Sequence, residues 1–393
     1  MKYKIELSND KIFPKSSSIF PQENVNYIHY DDLKYDTFFE NYLIPNVPCI
    51  IKNATINWEA SKHWIINDNI NFQYITEKYG NTIVPIANCS VQYYNAQKKI
   101  DMKLSEYLNY FSGHQEISEN LYLKDWHFHK DIQENIYTVP LYFASDWLNE
   151  YCIDLNKEDY MFIYMGPKDS WTPFHADVFS SFSWSANITG QKRWLLFPPD
   201  TEKTLVDNLG NLPFDIDQCE KFTKNGTQFY EVIQNPGEVL FVPSKWHHQV
   251  WNLKDTFSIN HNWFNGCNIN IVFESMLSTL HDIKKEISDC SDMDSYDDHC
   301  QLMLKSIFGM DLQDFFNILY HISIKRINKI TLTEDIILFE SYSLGSNHCK
   351  FDLESIFDLL KAFIENEDAM NIDWSSKTCS PEQLVIQIEN TLM

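Results

Sequence analysis

His175 and Asp177 stand two residues apart in Trp171-Thr172-Pro173-Phe174-His175-Ala176-Asp177. On a strand, residues i and i+2 project from the same face, so an imidazole and a carboxylate would point the same way. A second imidazole comes from far along the chain, in Pro243-Ser244-Lys245-Trp246-His247-His248. Two imidazoles and one carboxylate hold a metal on one side and leave the opposite coordination positions open, as in non-haem Fe(II) oxygenases. Alternation along a strand places His247 with Gln249 and His248 with Val250 on opposite faces, so only one of the two can complete the set. A His-x-Asp pair alone is common by chance; its weight depends on what positions it.

The positioning elements are legible between about 120 and 265. Short apolar or alternating runs at 160–165, 174–186, 193–197, 228–233, 238–242, 247–252 and 256–263 are separated by Gly, Pro, Asn and Asp. Such spacing predicts an antiparallel sandwich or barrel. The polar link from Asp200 to Gly226 reads as a long loop over one barrel mouth. Upstream, Val47 onward predicts a buried strand. Residues 69–79 and Met102–Phe111 read as helices, and 82–87 and 90–94 as strands. After Asn268 the pattern turns helical: Val272, Met276, Leu280, Ile283 and Ile287 recur at helical intervals, as do apolar residues across Leu302–Ile327 and Phe351–Ile364. The acidic stretch Ser288–His299 reads as a solvated linker. The expected organisation is a lead-in over 1–40, with Pro14 and serines at 16–18, a catalytic domain over 41–268, and a helical region over 269–393. The fold class is mainly β with flanking helices (α+β): a double-stranded β-helix of the cupin, or jelly-roll, type with an all-helical C-terminal region.

The chain has 393 residues, enough for one large core and an appendage, and its 44% apolar and 15% aromatic content describes a folded protein. A formal charge of -24 opposes broad attachment to nucleic acid or anionic membrane. Nine cysteines are scattered without a CxxC pair, which fits reduced thiols and gives no structural zinc site. Residues Met1–Asp10 lack the apolar core of a signal peptide, and no apolar run approaches the roughly 20 residues of a membrane span. The expectation is a cytoplasmic protein.

Further motifs sharpen the metal reading. Val47-Pro48-Cys49-Ile50-Ile51-Lys52-Asn53-Ala54 with Trp58 and Trp64, then His175-Ala176-Asp177, Gly190-Gln191-Lys192-Arg193-Trp194, Leu196-Phe197-Pro198-Pro199, Pro236-Gly237-Glu238-Val239-Leu240-Phe241-Val242-Pro243 and Trp246-His247 follow one another in order. Together they resemble the JmjC-type oxygenases over about residues 40–270. Within that family, Ser170–Asp177 and Asn260-His261-Asn262-Trp263 are similar to a cytosolic group described as lysyl hydroxylases of the eukaryotic translation termination factor. The resemblance implies Fe(II), with 2-oxoglutarate and O2 as co-substrates. It implies a metal triad of His175, Asp177 and His247, the first histidine after the tryptophan. It places Lys192 on the distal carboxylate of 2-oxoglutarate, with Thr172 and Tyr122 beside it and Asn260 and Asn262 near the co-substrate. An asparagine common in relatives is replaced here by Ser181 or Ser185. The chemistry is coherent: a metal that must chelate a co-substrate and admit O2 has room for three protein ligands, and a buried lysine meets a carboxylate through a charge-assisted hydrogen bond.

His127 and His129, lacking a third ligand, read as surface or packing residues, and Trp184 and Trp194 as core. The implied partner is a protein substrate, a translation release factor, with no direct nucleic acid and no membrane; the C-terminal helices are a candidate homodimer interface. Two rivals stand beside protein lysyl hydroxylation. One is N-methyl-lysine demethylation, weakened by the lack of a histone-reading zinc module. The other is a catalytically inactive cupin-type binding module, weakened by the intact motif set.

Overall fold

The computed structural model describes residues 3–8, 24–115, 117–224, 226–375 and 378–393. The alternating runs become two facing sheets. The larger contains β1 (Asn26–His29), β2 (Cys49–Lys52), β3 (Ile83–Tyr93), β4 (Ala96–Lys103), β5 (Leu121–Trp126), β6 (Met161–Gly166), β8 (Phe182–Thr189), β11 (Val239–Val242) and β13 (Thr256–Trp263), in the order β1-β2-β11-β8-β13-β6-β5-β3-β4. The smaller contains β7 (Trp171–His175), β9 (Lys192–Phe197), β10 (Tyr230–Gln234) and β12 (His247–Asn252), in the order β7-β12-β9-β10. Consecutive strands repeatedly cross from one sheet to the other, as in a double-stranded β-helix. All pairings within these sheets are antiparallel except β1 with β2. The turn from β10 to β11 shows the local logic: Pro236 presets φ and Gly237, at φ +84°, takes the left-handed position that follows it.

Burial separates the sheet faces. Ile50, Leu240 and Val242 of the large sheet pack with Trp194, Leu196, Val232 and Val250 of the small one, defining the interior. The opposite face of the large sheet carries Phe182, Trp184, Phe241, Phe257 and Trp263 against an aromatic layer from the N-terminal helices, including Phe38, Trp64 and Phe143. The opposite face of the small sheet carries Phe174, Leu195 and Phe197, covered by Leu205 and Ile216. The 200–226 link is therefore corrected: it holds short helical turns at Thr201–Thr204 and Ile216–Gln218 and lies on the outer face of the small sheet, not over the mouth. Its apolar residues, sparse among Asn and Asp, seal the outward half of β7 and β9.

Pro14 and the serines at 16–18 lie outside the described residues. The strands expected over 82–87 and 90–94 are one continuous element, β3 (Ile83–Tyr93), paired with β4, and the helix expected from Met102 starts at Leu104. Among the helices are α1 (Trp147–Asp154), α2 (Ile269–Glu286), α3 (Tyr296–Phe308), α4 (Leu312–Thr331), α5 (Ser346–Ile364) and α6 (Pro381–Leu392). The run expected over 302–327 is split at Gly309 into α3 and α4. A ribbon of Ile337–Leu338 and Tyr342–Leu344, paired with Tyr3–Ile5, interrupts the C-terminal helices. The helical core also takes Trp147, Leu148, Tyr151 and Cys152 from α1. A buried Arg326 fastens that junction: its guanidinium donates to both oxygens of Glu150 at 2.6 and 2.8 Å and to Asp352 at 2.9 Å. Deleting one partner of such a buried pair costs about 3–5 kcal/mol, because the other charge stays buried alone.

Candidate metal and co-substrate site

His175 closes β7, and β7 pairs with β12 so that His175 stands opposite His248. The two imidazole centroids are 4.3 Å apart. Asp177 follows in the loop, and His175, Asp177 and His248 each offer a ligand atom within 4.8 Å of the others. Among the described residues this is the one such group of three. The expected third ligand, His247, is thereby corrected to His248. On β12, His248, Val250 and Asn252 face the interior beside Leu196, Trp194 and Lys192 of β9. His247 falls on the opposite face, packed at a tilt against Phe174 under the 200–226 link, 3.6 Å from Glu202. Burial pushes its imidazole down to about 4. One residue along a strand reverses the face, and the first-histidine rule carried no information about register.

The donor set is prepared for a metal. The Nδ1–H of His175 donates to the Pro173 carbonyl at 2.7 Å, and that of His248 to the Trp246 carbonyl at 2.9 Å. Each ring is thus oriented by the backbone two residues before it, and in the neutral form the Nε2 lone pair is left for a metal. Burial, reinforced by His248, pushes His175 down to about 3, which favours the neutral, ligating imidazole. Asp177 Oδ2 accepts from Ser183 Oγ at 2.7 Å, which fixes the carboxylate plane. Two imidazoles and a carboxylate on one side suit a divalent metal with open positions.

Beside this set lies a basic interior. Lys192 is 1% exposed, and its Nζ donates to Tyr122 Oη at 3.1 Å. Among the described residues it has no carboxylate partner within ion-pair distance. Burial, with Lys124 adding repulsion, pushes its ammonium down to about 7. Lys124, two residues after Tyr122 on β5, is also buried, donates to Gln97 Oε1 at 2.8 Å, and is pushed down to about 8 by burial. A buried ammonium without a counter-charge is expensive, and an incoming dianion would supply one. The buried Ser185 Oγ has no hydrogen-bond partner among the described residues and points into the same interior.

Thr172 sits opposite Val250 on the inner face. Asn260 and Asn262 pair with Ser185 and Ser183 on β8; Asn262 donates to Ser181 Oγ at 3.2 Å and Asn260 to Ser258 Oγ at 3.3 Å. His127 and His129 stand apart from the triad, each 3.3 Å from one oxygen of the buried Asp159. Trp184 and Trp194 are buried. Lys124 and Ser183 escaped the sequence reading. Tyr122-x-Lys124 alternation signals that both lie on one face, but nothing in the sequence says that the face is interior.

A cupin-like domain matches residues 35–268. The chain is 41% identical over 387 residues to a Drosophila melanogaster protein named 2-oxoglutarate and iron-dependent oxygenase JMJD4 homolog, covering 90% of this chain and 89% of that one. It is 41% identical to the Danio rerio 2-oxoglutarate and iron-dependent oxygenase JMJD4, over 92% of this chain and 91% of the relative. An Arabidopsis thaliana protein named arginine-specific demethylase JMJ20 is 37% identical over 79% of this chain and 71% of its own length. No helix among the described residues is long and apolar enough to cross a membrane.

Proposed function

Because this chain belongs to the JMJD4 family of 2-oxoglutarate and iron-dependent oxygenases, we propose that it hydroxylates a lysyl side chain of a protein substrate, a translation termination factor. The single observation that supports the oxygenase chemistry is the convergence of His175, Asp177 and His248 beside a buried Lys192 that has no carboxylate partner among the described residues. His175, Asp177 and His248 would hold the iron. When bound, iron with 2-oxoglutarate and O2 supplies the oxidant that puts one oxygen atom into a substrate C–H bond, with succinate and CO2 as co-products.

The chain's own residues bind and orient. Lys192, with Tyr122 against its ammonium, takes the distal carboxylate of the co-substrate, and Thr172 borders the same inner face. Pro173 and Trp246 carbonyls keep the Nδ1 protons in place, so neither ring needs to reorient when a ligand arrives. Val250, Trp194 and Leu196 keep this end of the interior apolar and restrict water around the reacting centre.

The test is mass analysis of a termination-factor peptide incubated with the protein, Fe(II), 2-oxoglutarate and O2. A gain of one oxygen on a lysine is expected, and an unchanged peptide beside a working control oxygenase would refute the substrate assignment. The relative named as an arginine-specific demethylase gives reason to test a second reading, in which hydroxylation of an N-methyl carbon ends in demethylation. Formaldehyde released from methylated peptides would favour it.

A further inference from the structure

Two of the three converging side chains are held by strands. Asp177 is not: it precedes the short turn Val178–Ser180, whose Phe179 and Ser180 adopt left-handed backbone at φ +59° and +51°. Two consecutive non-glycine residues in that region persist only where surrounding packing holds them. The packing comes from the C-terminal helices. Phe179 is 4% exposed and belongs to the helical core, not to the barrel interior. Its ring lies 5.9 Å from Phe308 at the end of α3 and 5.1 Å from Tyr160. Gly309, at φ +100°, ends α3 directly against it; a Cβ there would come within 2.6 Å of the Phe179 ring. Helix α2 packs on the same turn.

We propose that Phe179 is a positioning residue for the metal centre: its insertion into the α3–α4 corner fixes the turn that aims the Asp177 carboxylate, so the C-terminal helices form part of the metal site. The inference rests on His175, Asp177 and His248 being the metal ligands. Val178, half exposed at 51%, and the small Ser180 are the other side chains of the turn, and neither offers a comparable anchor. Ser183 orients the carboxylate once it is in place, whereas Phe179 sets where the backbone carrying it lies.

The test is Mn(II) binding by the full chain, read from the loss of the free-ion electron paramagnetic resonance signal. Phe179→Ala and Gly309→Ala should each weaken Mn(II) by about tenfold or more, the range for residues that orient ligands, and Phe179→Leu should restore most of the affinity. Leu384→Ala, in the same helical core but on α6, which packs on α4 and α5, should lower the melting temperature and leave Mn(II) affinity unchanged. Failure of the unaltered chain to bind Mn(II) would overturn the triad assignment and this inference with it. Binding of Mn(II) by the unaltered chain, with equal affinity in folded Phe179→Ala and Gly309→Ala, overturns this inference alone. So does an equal loss of affinity in Leu384→Ala, since the effect would then be one of general stability.

Discussion

The two faces of the small sheet carry nearly the same residue types and put them to opposite uses. Lys192 and Arg193 are adjacent, as are His247 and His248. On the outer face Arg193 donates to Glu231 at 2.6 Å and to Asp217 at 3.2 Å, and its guanidinium stacks over Trp251. On the inner face Lys192 has a tyrosine hydroxyl as partner and is driven toward neutrality. His248 is aimed at a second imidazole, while His247 packs on a phenylalanine. The difference teaches that residue type marks chemistry poorly; a buried polar group left incomplete marks it well.

The largest separation should come from the histidines. His248→Ala should abolish tight metal binding and cut co-substrate turnover by roughly a thousandfold or more, as removal of an essential reacting group does, while His247→Ala keeps a bound metal. Equal losses from both, measured by metal titration, would erase the distinction between the faces. Next come the cations. Lys192→Met should weaken 2-oxoglutarate by about ten- to a hundredfold, the scale of a hydrogen bond to a charged group. Arg193→Met, removing two part-exposed ion pairs, should change stability by about 1 kcal/mol or less and leave co-substrate affinity alone. Calorimetric titration of each variant decides.

A pH series sharpens the comparison further. With Lys192 held at about 7 in the free protein, co-substrate affinity should fall as pH rises above that value, by up to about tenfold per unit. The folding linkage has the opposite sign. Between about 7 and the ordinary 10.5 the unfolded chain binds the proton that the folded chain lacks, so this group's contribution to stability rises with pH across that window. Lys192→Met should flatten both curves. The smallest effect belongs to Tyr122→Phe, which removes one hydroxyl from the ammonium and should cost about 1 kcal/mol in co-substrate binding.

Much of this was legible from residues. The runs over 160–263 gave the strands because a half-buried strand must alternate, and His175-x-Asp177 gave two members of the site because both lie in one short segment. His248 was not legible, since choosing between neighbouring histidines needs the β7–β12 register, which joins strands far apart in sequence. The placement of 200–226 failed for a related reason: Leu205 and Ile216 are too few to show which surface they cover. The break at Gly309 was missed although a glycine stands inside the run, and its contact with Phe179 had no sequence signal at all.

The carbonyls of Pro173 and Trp246 carry one last consequence. Each imidazole takes its aim from an acceptor two residues earlier in its own segment, Pro173 within β7 and Trp246 at the entry to β12, so ring and acceptor move as one piece. If β7 and β12 slid apart, each lone pair would keep its direction relative to its own segment, and the gap between the rings would change. A displacement of the sheet would therefore register as a shift in the size of ion preferred.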